Sequence, residues 1–141
     1  MQADPTRIVI DTNRIMAGLL KDSASRRIIL HRSFSFFAPD YCATELARHR
    51  PYLMKKAGLT SRNFDRILRI LLGPVTLVPF DEFEDAYDHA RSVMETVDVN
   101  DAPFLAVGLS LGIGHIWTED RHFLQQDLLR VCSTRDLLGM I

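Results

Sequence analysis

Short apolar runs alternate with segments of helical periodicity along this chain, and no other feature limits the possible folds as much. The runs that resemble buried strands are residues 7–11, 34–38, 75–79, 115–118 and 130–133. Between them, apolar residues recur at helical spacing, as Phe64, Ile67 and Leu71 do. Strands that alternate with helices indicate a parallel sheet covered on both faces. The sequence therefore predicts an α/β fold, a three-layer α/β/α sandwich around a central parallel sheet of four or five strands.

Polar residues and glycines predict where the helices begin and end. Asp40 is expected to cap the helix after the second strand, and Gly58 to end that helix. Asp101 or Asn100 is expected to cap a helix that starts at Ala102. The remaining predictions are a helix over residues 83–97, a turn over residues 119–122 and a short helix over residues 123–128.

The composition is that of a globular protein, with 141 residues, 47% hydrophobic and 25% charged. We expect one domain over residues 1–141. The most apolar stretch, residues 103–117, is interrupted by glycines and is shorter than the roughly 20 residues that a membrane helix needs. The expected location is therefore the cytoplasm, with no membrane segment.

Four acidic residues stand where predicted strands end or predicted helices begin. Asp11 ends the first strand, and Asp120 follows the fourth. Asp101 starts a helix, and Glu45 lies about one turn into another. Because ligands bind outside the carboxyl ends of parallel strands, these side chains are expected to meet there. Each also has an ordinary alternative: the aspartates could cap or turn the chain, and the glutamate could lie on a helix surface.

Four segments in order, IVIDTN, TELARH, NDAPFLAVGLSLG and WTEDRHF, resemble the motifs of the PIN domain (PilT N-terminus) family. The resemblance spans residues 7–138. The Asp of the first motif, followed by Thr and Asn, is Asp11, and the Glu followed by Leu is Glu45. The third acid opens an apolar helix, as Asp101 does, and the fourth lies in a T-x-D-x-x-F pattern at Asp120. The resemblance implies a PIN-like nuclease domain with these four acids as catalytic residues and metal ligands.

Oxygen ligands without clustered cysteine or histidine suit Mg²⁺ or Mn²⁺ better than Zn²⁺. Asp11 and Asp101 are expected to bind the ion directly, and Glu45 and Asp120 directly or through water. The expected hydrogen-bond partners of these ligands are Thr12, Asn13 and Thr118.

Two further residues near the motifs are less expected to take part. Asp98 lies one helical turn before Asp101 and is an optional ligand, with a surface position favoured. His122 is favoured as a solvated turn residue.

The net charge of −1 conceals a basic segment in the middle of the chain. Its residues expected to bind substrate phosphate are Arg48, Arg50, Lys55 and Lys56. Solvated helix faces explain the same pattern equally well. The family resemblance implies that the substrate is single-stranded or structured RNA, hydrolysed to 5′-phosphate and 3′-hydroxyl ends.

Other classes of protein share some of these sequence features. Phosphatases and response-regulator receivers also place aspartates at strand ends, but their chemistry needs a late lysine, and Lys56 is the last lysine here. The sequence is also compatible with a second function, that of a PIN-like module that binds RNA or protein without cutting it. The chain length resembles that of VapC-like toxins of toxin–antitoxin pairs, which implies a homodimer and an antitoxin partner.

Overall fold

The computed structural model describes residues 4–141, so the first three residues of the predicted domain lie outside the described range. All five described strands pair in parallel, in the order β3-β2-β1-β4-β5. The strands are β1 (Thr6–Ile10), β2 (Phe34–Pro39), β3 (Val75–Val78), β4 (His115–Trp117) and β5 (Arg130–Cys132). The predicted α/β/α sandwich is confirmed, with five strands.

Seven α-helices and three short 3₁₀ helices surround the sheet within the described residues. The α-helices are α1 (Thr12–Leu19), α2 (Ser23–Ile29), α3 (Tyr41–Ala57), α4 (Ser61–Leu72), α5 (Glu84–Met94), α6 (Ala102–Leu111) and α7 (Thr134–Leu138). The 3₁₀ helices are Phe80–Glu82, Val99–Asp101 and Arg121–Gln125.

The strand order creates a switch point between β1 and β4. From β1 the chain moves outward through β2 to β3, and it then returns to the other side of β1 as β4. In open parallel sheets, ligands bind at the carboxyl ends of the strands where the order reverses. The fold itself therefore marks the ends of β1 and β4 as the place for a functional site.

Strand β1 lies between two neighbours, and its Ile8, Val9 and Ile10 are almost fully buried. Helix α6 packs against β1, β2 and α5, so it is apolar on most of its circumference rather than along one stripe. The ring of Trp117 on β4 packs 5.6 Å from that of Phe36 on β2. This central packing holds the ends of β1 and β4 in fixed positions.

Three local predictions were wrong. The short helix expected over residues 123–128 is the 3₁₀ helix Arg121–Gln125. The helix does not continue beyond Gln125. The Gln126 side chain instead donates to the carbonyls of Phe123 and Leu129 and accepts from the Leu129 amide. Asp40 has helical backbone angles and makes no side-chain cap bond. Helix α5 ends at Met94 rather than at residue 97.

Among the described residues, no helix is both long and apolar enough to cross a membrane.

A tight contact between Gly108 on α6 and the segments that precede β4 and β5 generates a stability prediction. A Cβ atom at Gly108 would lie 2.5 Å from Leu129 Cδ1 and 2.9 Å from the Ile113 carbonyl oxygen. We expect Gly108→Ala to lower the free energy of unfolding by about 1–3 kcal/mol, because the core is overpacked. Denaturant unfolding measures the change. Gly114→Ala is the matched control, since no atom lies within 4 Å of its Cβ; equal stabilities of the two variants would contradict the packing.

Candidate metal centre

Four elements bring the predicted acids to the switch point. Asp11 follows β1 and is the N-terminal cap of α1, while Asp120 follows β4 and caps the 3₁₀ helix Arg121–Gln125. Glu45 lies on the second turn of α3. Asp101 ends the 3₁₀ helix Val99–Asp101 immediately before α6.

Asp11 is 6% exposed and is held from two sides. Its Oδ2 accepts a 2.7 Å hydrogen bond from the Thr118 hydroxyl, and its Oδ1 accepts from the Asn13 amide at 3.3 Å. The Thr118 hydroxyl also accepts from the Asp120 amide at 2.9 Å. One threonine therefore positions two of the acids. Burial raises the pKa of Asp11 despite these hydrogen bonds.

Glu45 is oriented in the same way by a second threonine. The hydroxyl of the buried Thr12 donates to Glu45 Oε1 at 2.7 Å. Burial, together with the charge of Asp11, raises the pKa of Glu45. Thr12 and Thr118 thus occupy the positions expected of ligand partners, whereas Asn13 contacts Asp11 through its backbone.

Asp101 does not act as the helix cap that its position suggested. Its side chain makes no cap hydrogen bond, and its Oδ2 is buried without a hydrogen-bond partner. The preceding Asp98 accepts from the Asn100 amide instead. Asp101 therefore does not cap α6, and its Oδ2 atom remains free to contact a ligand.

The Asp101 carboxyl lies among other negative charges. Burial, followed by the charges of four surrounding carboxylates, raises its pKa to about 8. Those carboxylates are Asp98, Asp11, Asp120 and Glu45. The charges of the other three predicted acids therefore all act on the Asp101 carboxyl.

His122 is exposed, as the sequence predicted, and it also lies beside the same carboxylates. Its Nδ1 is 3.5 Å from Asp120 Oδ1, 3.8 Å from Asp101 Oδ2 and 3.9 Å from Asp98 Oδ2. Ligand atoms of Asp98, Asp101 and His122 all lie within 4.8 Å of one another, the tightest such group in the described part of the chain. This group overlaps the predicted four acids only at Asp101. Its signal in the sequence was His122, two residues after Asp120.

Arg14 was also missed by sequence reasoning. It lies in the first turn of α1, and its positive charge partly offsets the rise in the pKa of Asp11. Its buried Nε has no hydrogen-bond partner. Arg14 thus places one cation beside the acids.

The four predicted phosphate-binding residues lie at different places along α3. Arg48 is close enough to Glu45 that its charge partly offsets the rise in the pKa of that carboxyl. Lys55 and Lys56 lie at the far end of the helix, about 15 Å from Glu45 along its axis. The structure does not gather these side chains into one patch beside the acids.

Arg50 is engaged within the protein. Its guanidinium pairs with Asp65, donates to the Ser61 hydroxyl at 2.8 Å and lies 4.6 Å from the centre of the Phe64 ring. We therefore assign Arg50 to the junction of α3 and α4 rather than to substrate binding.

A parallel sheet with buried carboxylates at its switch point defines a class of α/β proteins built to bind a ligand at that edge. The PIN domain family model matches residues 9–137, so this chain belongs to the PIN domain family. Proteins of this family are generally nucleases and usually use a divalent metal. A search of curated proteins finds no significant match.

The raised pKa of Asp101 predicts how the metal-free protein responds to pH. Between its ordinary value of 3.8 and about 8, the folded state keeps a proton that the unfolded state has released. Stability is therefore lost as the pH rises through that range. Asp101→Asn should abolish this loss. In EDTA the variant should therefore be more stable than the wild type at pH 8, and its advantage over the wild type should be smaller at pH 5.

Denaturant unfolding of both proteins in EDTA at the two pH values measures this difference. Added Mg²⁺ should stabilise the wild type more than the variant at pH 8. A stability difference between the two proteins that does not change with pH would contradict the raised pKa of Asp101.

Proposed function

We propose that this protein is a divalent-metal-dependent endoribonuclease that hydrolyses phosphodiester bonds in single-stranded or structured RNA. The observation that carries the proposal is the buried, unpartnered Oδ2 of Asp101, which lies among other carboxylates at the switch point. A buried acceptor without a donor is costly, and a cation would satisfy it.

The residues present fit Mg²⁺ or Mn²⁺. Their donor atoms are mostly carboxylate oxygens, which hard divalent cations prefer, and one histidine is compatible with Mn²⁺. The proposed ligands are Asp11, Glu45, Asp101 and Asp120, directly or through water, with Asp98 and His122 beside them. These residues would hold a divalent ion, whose chemistry would be to polarise a phosphoryl oxygen and to lower the pKa of attacking water.

The remaining task of the protein is to hold these groups still. Thr118 and Thr12 fix the carboxylates of Asp11 and Glu45 through hydrogen bonds of 2.7 Å. The Nδ1 atom of His122 lies 3.5 Å from Asp120 Oδ1, 3.8 Å from Asp101 Oδ2 and 3.9 Å from Asp98 Oδ2. Arg14 offsets part of the negative charge near Asp11. These contacts keep the site in one arrangement before the substrate arrives.

RNA is the proposed substrate because of the family and the basic side chains of α3. Arg48, Lys55 and Lys56 are exposed and follow the helix away from Glu45. A strand that passes the acids could contact these cations through successive phosphates. The VapC-like toxin role, a homodimer and an antitoxin remain predictions from the resemblance alone.

Replacement of one carboxylate tests catalysis. Asp101→Asn keeps the shape of the side chain, and because Asp101 does not cap α6, no helix-cap hydrogen bond is lost. A neutral amide binds a cation less well, so we expect RNA cleavage to fall by roughly two orders of magnitude or more. A gel assay on labelled RNA in Mg²⁺ and in Mn²⁺, with calorimetric titration of both ions, measures the loss.

Asp127→Asn is the matched control, since Asp127 is exposed in the connection that enters β5 from its amino end. Calorimetry of Asp11→Asn adds a second removal of charge. Near-wild-type cleavage by Asp101→Asn would refute the proposed role. RNA binding by the wild type without cleavage in either metal would favour the non-catalytic PIN-like module.

The proposed phosphate contacts have their own signature. We expect Arg48→Ala to weaken RNA binding and to reduce the slope of log affinity against log salt by about one, since one counterion fewer is released. Charge reversal of Lys55 and Lys56 together should weaken binding further. Fluorescence anisotropy over a salt series measures both effects. Arg27→Ala on α2 serves as the exposed control; a slope that is the same for Arg27→Ala and Arg48→Ala would return α3 to ordinary helix surface.

A further inference from the structure

A cavity of about 400 Å³ opens beside the candidate metal centre. It lies at the same edge of the sheet, where β2 and β3 end. Asp40 and Tyr41 contribute from the start of α3, and Phe80 from the segment after β3. The size falls within the range of about 300–1,000 Å³ for small-molecule pockets.

Two elements that line this cavity also carry the proposed metal ligands. Asn100 on its wall directly precedes Asp101, and Tyr41 lies four residues, about one helical turn, before Glu45. The cavity lies above β2 and β3, one to two strand spacings from the switch point beside β1. A nucleotide strand whose phosphate lies at the acids therefore has a base within reach of the cavity.

The wall of the cavity carries several aromatic side chains, and Phe80 is the exposed one among them. Phe80 is 45% exposed, although its ring also packs edge to face against Phe83 at 5.3 Å and Tyr87 at 5.4 Å. These contacts hold Phe80 at the mouth of the cavity. Stacking of bases on aromatic side chains is a main source of affinity for single strands.

The polar residues of the wall supply a means of selection. Asp40 makes no side-chain cap bond to α3, so its carboxylate is available to a ligand. A carboxylate accepts hydrogen bonds from the amino group of cytosine, whereas uracil presents a carbonyl oxygen at the same position. The charge at Asp40 therefore favours a base that carries an exocyclic amine.

We propose that this cavity is a nucleobase subsite, in which Phe80 stacks on one base of the RNA strand and Asp40 selects an amino-bearing base. The subsite deepens the proposed ribonuclease function and depends on it for the identity of the strand. It would give the enzyme a sequence preference next to the cleaved bond, which the metal centre alone cannot supply.

Binding of two oligonucleotides tests the subsite. The probes are fluorescein-labelled hexacytidylate and hexauridylate, measured by anisotropy with Ca²⁺ in place of Mg²⁺, with gels to show that the strands stay intact. The wild type should bind hexacytidylate roughly five- to 100-fold more tightly than hexauridylate. Phe80→Ala should weaken binding of both strands by a similar factor. Phe80→Trp should restore binding.

Asp40→Asn separates selection from stacking. Since Asp40 makes no cap bond, this variant should fold as the wild type does, and it should lose the preference for cytosine while keeping its affinity for hexauridylate. Ile70→Ala, which removes another exposed apolar side chain from α4, is the control and should change neither strand. Wild-type protein that binds neither strand, or an unchanged cytosine preference in Asp40→Asn, would overturn the subsite.

The outcomes also separate the subsite from the nuclease. Binding that depends on Phe80, in a protein that cleaves no RNA in Mg²⁺ or Mn²⁺, would support the subsite and refute the ribonuclease. Cleavage with wild-type affinity in Phe80→Ala would do the reverse.

Discussion

The hydrogen bond from the Thr118 hydroxyl to Asp11 joins the ends of β1 and β4, and the candidate metal centre depends on it. Because the same hydroxyl accepts from the Asp120 amide, its single proton is committed to Asp11. Asp11 therefore receives a donor at Oδ2 from the strand beside its own. The geometry of two acids follows from one side chain between two strands.

The other acids show what such an arrangement costs without a cation. Burial and mutual repulsion raise the pKa of Asp11, Glu45 and Asp101, and no hydrogen bond reaches the buried oxygen of Asp101. The cation of Arg14 offsets only part of the charge, near Asp11. A protein that keeps such a cluster sacrifices stability in the metal-free state, as functional sites often do.

The sequence allowed the fold and the family to be predicted because both depend on local patterns. Strand runs and helical periodicity do not require knowledge of distant contacts, and the PIN motifs are short segments in a set order. The errors arose where distant or side-chain contacts decide the outcome. Gln126 replaces a helix with its own hydrogen bonds, and Asp65 takes up the guanidinium of Arg50. His122 could be recognised as a neighbour of Asp98 and Asp101 only when the turns after β4 and before α6 had been placed together.

Asp11 and Thr118 are separated by 107 positions in the chain. A ribosome that translates this protein therefore releases β1 long before it makes the partner of Asp11, and the fourth acid follows two residues after that partner. No nascent chain that ends before Asp120 can contain the assembled centre. The order of synthesis therefore leaves the cluster of acids incomplete until Asp120 has been made, and one edge of β1 stays unpaired until β4 has been made.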